Sequence, residues 1–310
     1  MLVAVALLAV GAVILIAGAE SAVRGTARLS IAAGISAFVL GALLFGIDLE
    51  GLSAALLAAA RGQTQIAAGE ALGTVIFLFG VALGLTLLVA RGPIPSPSAM
   101  MVIAPAIPLA AAALAISDQV VTRVEGLLLV FLYGGYVFAV LSEGRAVRQR
   151  AAELEHEAQE VKGDVSRAAV LAAGGLLAVF GGAWLLVDGG IRLLDTTGLS
   201  AGFIGAAIVG TLAGLDEVLL MALPVMRGTP ELATGNLFGT VAAFTSAVLG
   251  LAAVVHPLTL DAASELAFLG GAAMYALVAV VFLLWGRLPR PLGLILVAAY
   301  VAWLVYASTL

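Results

Sequence analysis

Residues 215–251 read LDEVLLMALPVMRGTPELATGNLFGTVAAFTSAVLGL, and residues 49–85 read LEGLSAALLAAARGQTQIAAGEALGTVIFLFGVALGL. Laid over each other at a fixed offset of 166 positions, without a gap, the two stretches share their punctuation. Arg61-Gly62 falls on Arg227-Gly228, Gly69 on Gly235, Gly73-Thr74-Val75 on Gly239-Thr240-Val241, and Leu83-Gly84-Leu85 on Leu249-Gly250-Leu251. An alanine- and leucine-rich chain produces chance matches of Leu or Gly. It does not readily produce paired Arg-Gly turns followed by three glycines in register. The chain is a repeat of itself, and the residues between and around the two copies decide how its halves sit.

Those surroundings are apolar. Of 310 residues, 63% are hydrophobic and 11% charged, with a mean hydropathy of +1.19. Soluble domains run roughly 45–50% apolar and about 25% charged. This composition excludes a secreted scaffold, a nucleic-acid binder and an ordinary cytosolic enzyme. The absence of cysteine excludes disulfides, thiolate metal sites and cysteine nucleophiles. With 37 glycines and only 6% aromatics, the helices must pack on small residues.

A helix needs about 20 apolar residues to cross the hydrocarbon core. Apolar runs between charges and Gly/Pro turns predict ten spans, near 2–19, 30–59, 64–89, 100–117, 120–142, 168–187, 199–226, 232–255, 264–285 and 291–308. The second and seventh are too long for one straight crossing, so they are expected to be tilted or broken. Met1 leads directly into apolar residues with no basic flank or cleavage site, which marks the first stretch as a span rather than a signal peptide.

Orientation follows from the bases. With the N-terminus outside, the inner loops carry Arg24, Arg28, Arg91, Arg145, Arg148, Arg150, Lys162, Arg167, Arg227, Arg287 and Arg290, eleven of the fourteen Lys and Arg. Both termini are expected outside a plasma (inner) membrane, with 143–167 a solvated, part-helical cytoplasmic linker between a first half, 1–142, and a second, 168–310. Pro93, Pro95 and Pro97 mark a turn. Five spans separate the two copies, an odd number, so the halves lie in opposite senses in the membrane. The fold class expected is an all-α membrane protein of two inverted five-helix repeats. That is how many secondary transporters are built, with the ion site at the midplane where the repeats meet.

Five acids fall inside the predicted spans with no base beside them: Asp48, Glu50, Glu70, Asp216 and Glu217. Each costs roughly 2.5–3.5 kcal/mol at a helix centre, on the order of 12–17 kcal/mol for the set. Such a cost persists only where a cation or a proton neutralises the charge. Asp48 and Glu50 are flanked by Gly46 and Gly51, and Asp216 and Glu217 follow Gly210 and Gly214. Glycines around acids suggest a broken helix whose freed carbonyls face an ion or a water-filled cavity. Under the offset Glu50 corresponds to Asp216 and Glu70 to Asn236, with Thr74 and Thr240 one turn further on. Carboxylate, amide, hydroxyl and carbonyl oxygens suit hard cations such as Ca²⁺, Mg²⁺ or Na⁺. The candidate cation ligands are therefore Asp48, Glu50, Glu70, Thr74, Asp216, Glu217, Asn236 and Thr240.

These motifs resemble the α-repeats of the cation/calcium antiporter superfamily, which includes sodium/calcium and proton/calcium exchangers. Each repeat of that family reads approximately G-T-S-x-P-E-L, then an Arg-Gly type turn, then G-N-x-x-G-S-N. The first copy here has GIDLEGL at 46–52, RG at 61–62 and GEALGTV at 69–75; the second has LAGLDEV at 212–218, RG at 227–228 and GNLFGTV at 235–241. Spacing matches throughout, and the ligand positions depart. Glu217 stands at the family's ion-binding glutamate in the second repeat, but Gly51 stands there in the first. Asp48 takes the neighbouring serine position, whose counterpart is Gly214, and Glu50 and Asp216 replace the proline. The later polar ligand position is Leu78 in one copy and Phe244 in the other.

The resemblance implies a cation antiporter, not an enzyme. Asp48 and Glu217 would be its central pair, Glu50, Asp216 and Glu70 added or proton-carrying, and Thr74, Thr240 and Asn236 neutral ligands. It implies no cofactor beyond the transported cation, Ca²⁺ by default with Na⁺ or H⁺ as counter-ion. The partners are inorganic cations and the bilayer. Na⁺/H⁺ or Mg²⁺ exchange on the same fold is the alternative. An intramembrane aspartyl protease would also place Asp48 and Asp216 on two spans, but its G-x-G-D pattern is incomplete here and the repeat would go unexplained. A non-transporting scaffold predicts no cation-dependent stabilisation.

Overall fold

The computed structural model describes residues 2–46, 48–154, 165–195 and 214–307. Among these it is almost wholly helical, and seven helices are long and apolar enough to cross a membrane. This follows from the solvent: in hydrocarbon each backbone N–H and C=O must be paired within its own segment. In chain order the helices are α1 (Leu2–Ala33), α2 (Ala37–Leu40, running into a π-helical turn Gly41–Phe45), α3 (Leu49–Ala60) and α4 (Thr64–Val89). Then come α5 (Ala99–Ala115), α6 (Arg123–Leu154), α7 (Val165–Asp195), α8 (Leu215–Met226), α9 (Pro230–Val255), α10 (Ala262–Trp285) and α11 (Arg290–Ala307). The part of the expected seventh span over 199–213 and the centre of the linker, 155–164, lie mostly or wholly outside the described residues.

The repeat is visible in the helix bounds. α4 and α9 begin and end at positions 166 residues apart, each just after an Arg-Gly turn. The turn glycines Gly62 and Gly228 have φ of 72° and 80°, a left-handed conformation that a side chain disfavours. Each helix carries a π-helical turn past its midpoint, Leu78–Leu83 in α4 and Ala243–Val248 in α9. α9 is the central helix, with every residue from Leu232 to Ala242 buried. The break expected in the second span is present: the chain leaves the π turn at Gly46 and starts α3 at Leu49, so Asp48 sits in the gap.

α1 continues through its charged end to Ala33, well past the apolar stretch, so residues 30–33 belong to it and not to the second span. Glu20 and Arg24, one turn apart, form an ion pair that suits a helix, and Gly34 at φ 61° ends it. α1 runs antiparallel to α7. Gly11, Gly18 and Gly25 recur every seven residues on one, Gly175, Gly182 and Gly189 on the other. A Cβ on Gly18 would stand 2.7 Å from the Val179 nitrogen, and one on Gly182 2.5 Å from the Leu15 nitrogen. Backbone therefore lies on backbone, the packing that small residues permit between membrane helices.

The Pro93–Pro97 link is more than a turn. It holds a strand, β1 (Ile94–Pro95), paired antiparallel with β4 (Arg287–Leu288). β2 (Val120–Val121) pairs with β3 (Leu258–Thr259). The first strand of each half thus joins the second strand of the other. Helix contacts cross in the same way: a Cβ on Gly293 would lie 2.6 Å from the Gly84 carbonyl, and one on Gly126 2.6 Å from the Gly250 carbonyl. Thr122 and Glu125 open α6 with reciprocal bonds, the Thr122 N–H to Glu125 Oε2 at 2.8 Å and the Glu125 N–H to Thr122 Oγ1 at 3.3 Å.

Candidate functional site

α8 starts abruptly after Gly214, which places Asp216 and Glu217 in its first turn. The amides there lack intrahelical partners and form the positive pole of the helix, a favourable place for carboxylates. Both side chains are buried. Asp216 Oδ1 accepts the Glu217 backbone N–H at 2.8 Å, so one acid braces the turn that presents the other. Glu217 Oε2 accepts a bond from Asn236 Nδ2 at 3.2 Å. Asn236 Oδ1 in turn accepts the Thr240 hydroxyl at 3.3 Å, from one turn further along α9. Asn236 and Thr240 are fully buried.

Asp48, half-buried in the break between α2 and α3, faces Glu217 as a like charge. The fold thus brings Asp48, Glu217, Asn236 and Thr240 together from three segments. Two carboxylates beside each other in a low-dielectric interior repel strongly, and a cation or protons between them remove that repulsion. The remaining donors, an amide and a hydroxyl, are oxygen-bearing and neutral.

The other candidates are placed differently. Thr74 donates its hydroxyl to the Glu70 carbonyl at 2.8 Å, within α4 itself, and both residues are half-buried. Glu50 lies in the first turn of α3, and its side chain is outside the described residues. Among the described residues no three of His, Cys, Asp and Glu converge. The acids therefore contribute a pair to this place, Asp48 and Glu217, with Asp216 behind it.

Two aromatic rings stand against the glycines that flank these acids in the chain. A Cβ on Gly51 would meet Phe244 Cζ at 2.8 Å and Asp48 Oδ2 at 2.6 Å. A Cβ on Gly214 would meet Phe77 Cζ at 2.2 Å. Phe244 stands out in the sequence as the replacement of a polar position. Phe77 gives no such signal, because its repeat counterpart is Ala243. Away from this place, Glu20 pairs with Arg24 and, across to the α8–α9 turn, with Arg227.

Comparison with known proteins agrees with this architecture. A family model described as "Sodium/calcium exchanger protein" matches residues 3–142 and 167–309. CaxA, a candidate antiporter of Alkalimonas amylolytica, is 29% identical over 275 residues, covering 85% of this chain and 84% of its own length. The inner membrane protein YrbG of Escherichia coli is 27% identical, with 98% and 96% covered. Among solved structures, the sodium-calcium exchanger NCX_Mj in 10 mM Na⁺ and zero Ca²⁺ superposes with a TM-score of 0.85 over 98% of both chains, at 22% identity.

Proposed function

The chain belongs to the sodium/calcium exchanger protein family, and on that premise we propose that it is a secondary cation antiporter. It exchanges Ca²⁺ or a related cation against Na⁺ or H⁺ by alternating access at one buried site. Asp48 and Glu217 carry the charge, and Asn236 and Thr240 complete the oxygen set. The observation that carries the reading is the buried Glu217–Asn236–Thr240 chain facing Asp48 at a helix break. A site with two uncompensated carboxylates cannot cross between the two faces of a low-dielectric bundle at acceptable cost. It crosses only when neutralised, by the cargo in one direction and by the counter-ion in the other. Obligatory exchange follows from electrostatics.

The fold proposed is ten spans in two inverted halves, 1–142 and 168–310, joined by the cytoplasmic linker 143–167. Both termini lie outside the inner membrane. The antiparallel α1–α7 pair, the crosswise strands and the crosswise glycine contacts support the inversion. The naming of YrbG as an inner membrane protein supports the location. No resident cofactor is needed, since the cation is cargo. Exchange of Na⁺ for H⁺, or of Mg²⁺, is a second reading, favoured by Gly51 standing where a second glutamate would sit.

Proteoliposomes loaded with one ion and diluted into another, with Ca²⁺, Mg²⁺, Mn²⁺, Na⁺ and pH gradients varied singly, test the proposal. Flux of one cation that depends on an opposing gradient of another is expected. Absence of coupled flux for every pair, together with no cation-dependent rise in melting temperature, would leave a non-transporting scaffold.

A further inference from the structure

Where the apolar run of α1 stops, the helix carries charges that the cation site does not use. Ala17, Glu20, Ser21, Arg24 and Arg28 share one face of α1 and, with Leu171 of α7, line a cavity of about 440 Å³. The Ser21 hydroxyl donates to the Leu171 carbonyl at 3.2 Å and ties the seam between the two helices there. Glu20 is already matched by Arg24 and by Arg227, both ion-paired with the same carboxylate oxygen. One carboxylate cannot balance three guanidinium groups, and Arg28, one turn beyond Arg24, has no ion-pair partner among the described residues. The cavity therefore keeps an excess of positive charge. Towards the middle of α1 the same face turns apolar and stays uncovered, with Val13 68% and Val10 51% exposed. Exposed apolar residues on a membrane-spanning helix face acyl chains.

We propose that this cavity binds the phosphate of an anionic phospholipid, held by Arg28 and Arg24, with an acyl chain along Val13 and Val10. The site is separate from the cation pair and does not depend on the antiporter reading. Basic pockets between membrane helices suit anionic head groups, and a guanidinium offers a planar fork of donors to phosphate oxygens. Free phosphate would meet the same arginines but leave the apolar stripe unused. A choline head group would bring a cation against the surplus of guanidinium. Phosphate engaging Arg24 leaves Glu20 to Arg227 alone, which links the lipid to the turn after α8, the helix that carries Glu217.

The test is lipid binding by the full purified chain in detergent, read by native mass spectrometry with phosphatidylglycerol, phosphatidylcholine and inorganic phosphate added singly and in competition. The wild type is expected to retain one phosphatidylglycerol, preferred about tenfold or more over phosphatidylcholine. Arg28→Gln should weaken that binding about fivefold, the increment for one base at a lipid surface, and the double variant Arg24→Gln, Arg28→Gln about 25-fold. Ala17→Phe, which fills the cavity and leaves every charge in place, should weaken it too. Arg123→Gln removes a base at the start of α6 that does not line the cavity, and should leave binding unchanged. Equal affinity for the two lipids overturns the proposal, as do equal losses in Arg28→Gln and Arg123→Gln or full binding in Ala17→Phe. Inorganic phosphate that displaces phosphatidylglycerol at equal concentration overturns the lipid assignment in favour of a free anion. If the double variant does not fold, Arg28→Gln decides alone, since that side chain is exposed and its loss breaks no ion pair among the described residues.

Discussion

The two copies of the repeat share a backbone plan and differ in chemistry. In the second copy Glu217, Asn236 and Thr240 are all buried and bonded to one another across α8 and α9. In the first, Glu70 and Thr74 occupy the positions of Asn236 and Thr240, yet the Thr74 hydroxyl is satisfied by its own helix and both side chains are half-buried. That half delivers Asp48 from the helix break instead. A duplicated fold must keep its turns and close-packed glycines, because backbone meets backbone there. On the proposed reading the polar positions answer only to the ion, and two carboxylates match a divalent charge. The halves therefore differ in what they bring to this place, one a hydrogen-bonded chain and the other a single opposing carboxylate.

Mutations probe that division from the strongest effect to the weakest. Glu217→Gln removes half the site's charge while keeping its shape and should abolish coupled flux, a fall of about 100-fold or more if the carboxylate supplies roughly 3 kcal/mol of cation binding. Asp48→Asn should match it, because the pair acts as a unit. Asn236→Ala leaves the buried Glu217 carboxylate without its amide donor. Losing a hydrogen bond to a charged group costs roughly 1.5–3 kcal/mol, so apparent cation affinity in a melting-shift titration should fall by about 10-fold or more. Thr240→Val should weaken affinity several-fold, whereas Thr74→Val should change it by less than about threefold, since its hydroxyl bond lies within one helix. Equal losses from the two threonines would break the asymmetry. Glu20→Gln, which disrupts an exposed ion pair with Arg24 and Arg227, should lower stability by about 1 kcal/mol or less, read as a small shift in melting temperature.

Much of this was legible in the residues. The Arg-Gly turns and recurring glycines predict the bounds of α4 and α9 because only certain residues tolerate a left-handed turn or a backbone contact. The acids stand out because hydrocarbon penalises them. How Asp216 sits relative to Glu217 was not legible. Asp216 and Glu217 are adjacent in sequence, and only the start of α8 after Gly214 makes one a brace and the other a ligand candidate. The length of α1 escaped hydropathy because a helix continues through charged residues once they can pair along its face. Phe77 escaped because a ring filling the space beside a glycine is a tertiary event with no local pattern.

The central claim is that Asp48 and Glu217 together hold the exchanged cation. Its most direct test is coupled Ca²⁺ flux in proteoliposomes reconstituted with wild type and with the double variant Asp48→Asn, Glu217→Gln, both matched for folded protein. Flux in the wild type that vanishes in the variant is the result expected. Flux in the variant at the wild-type rate would contradict the claim.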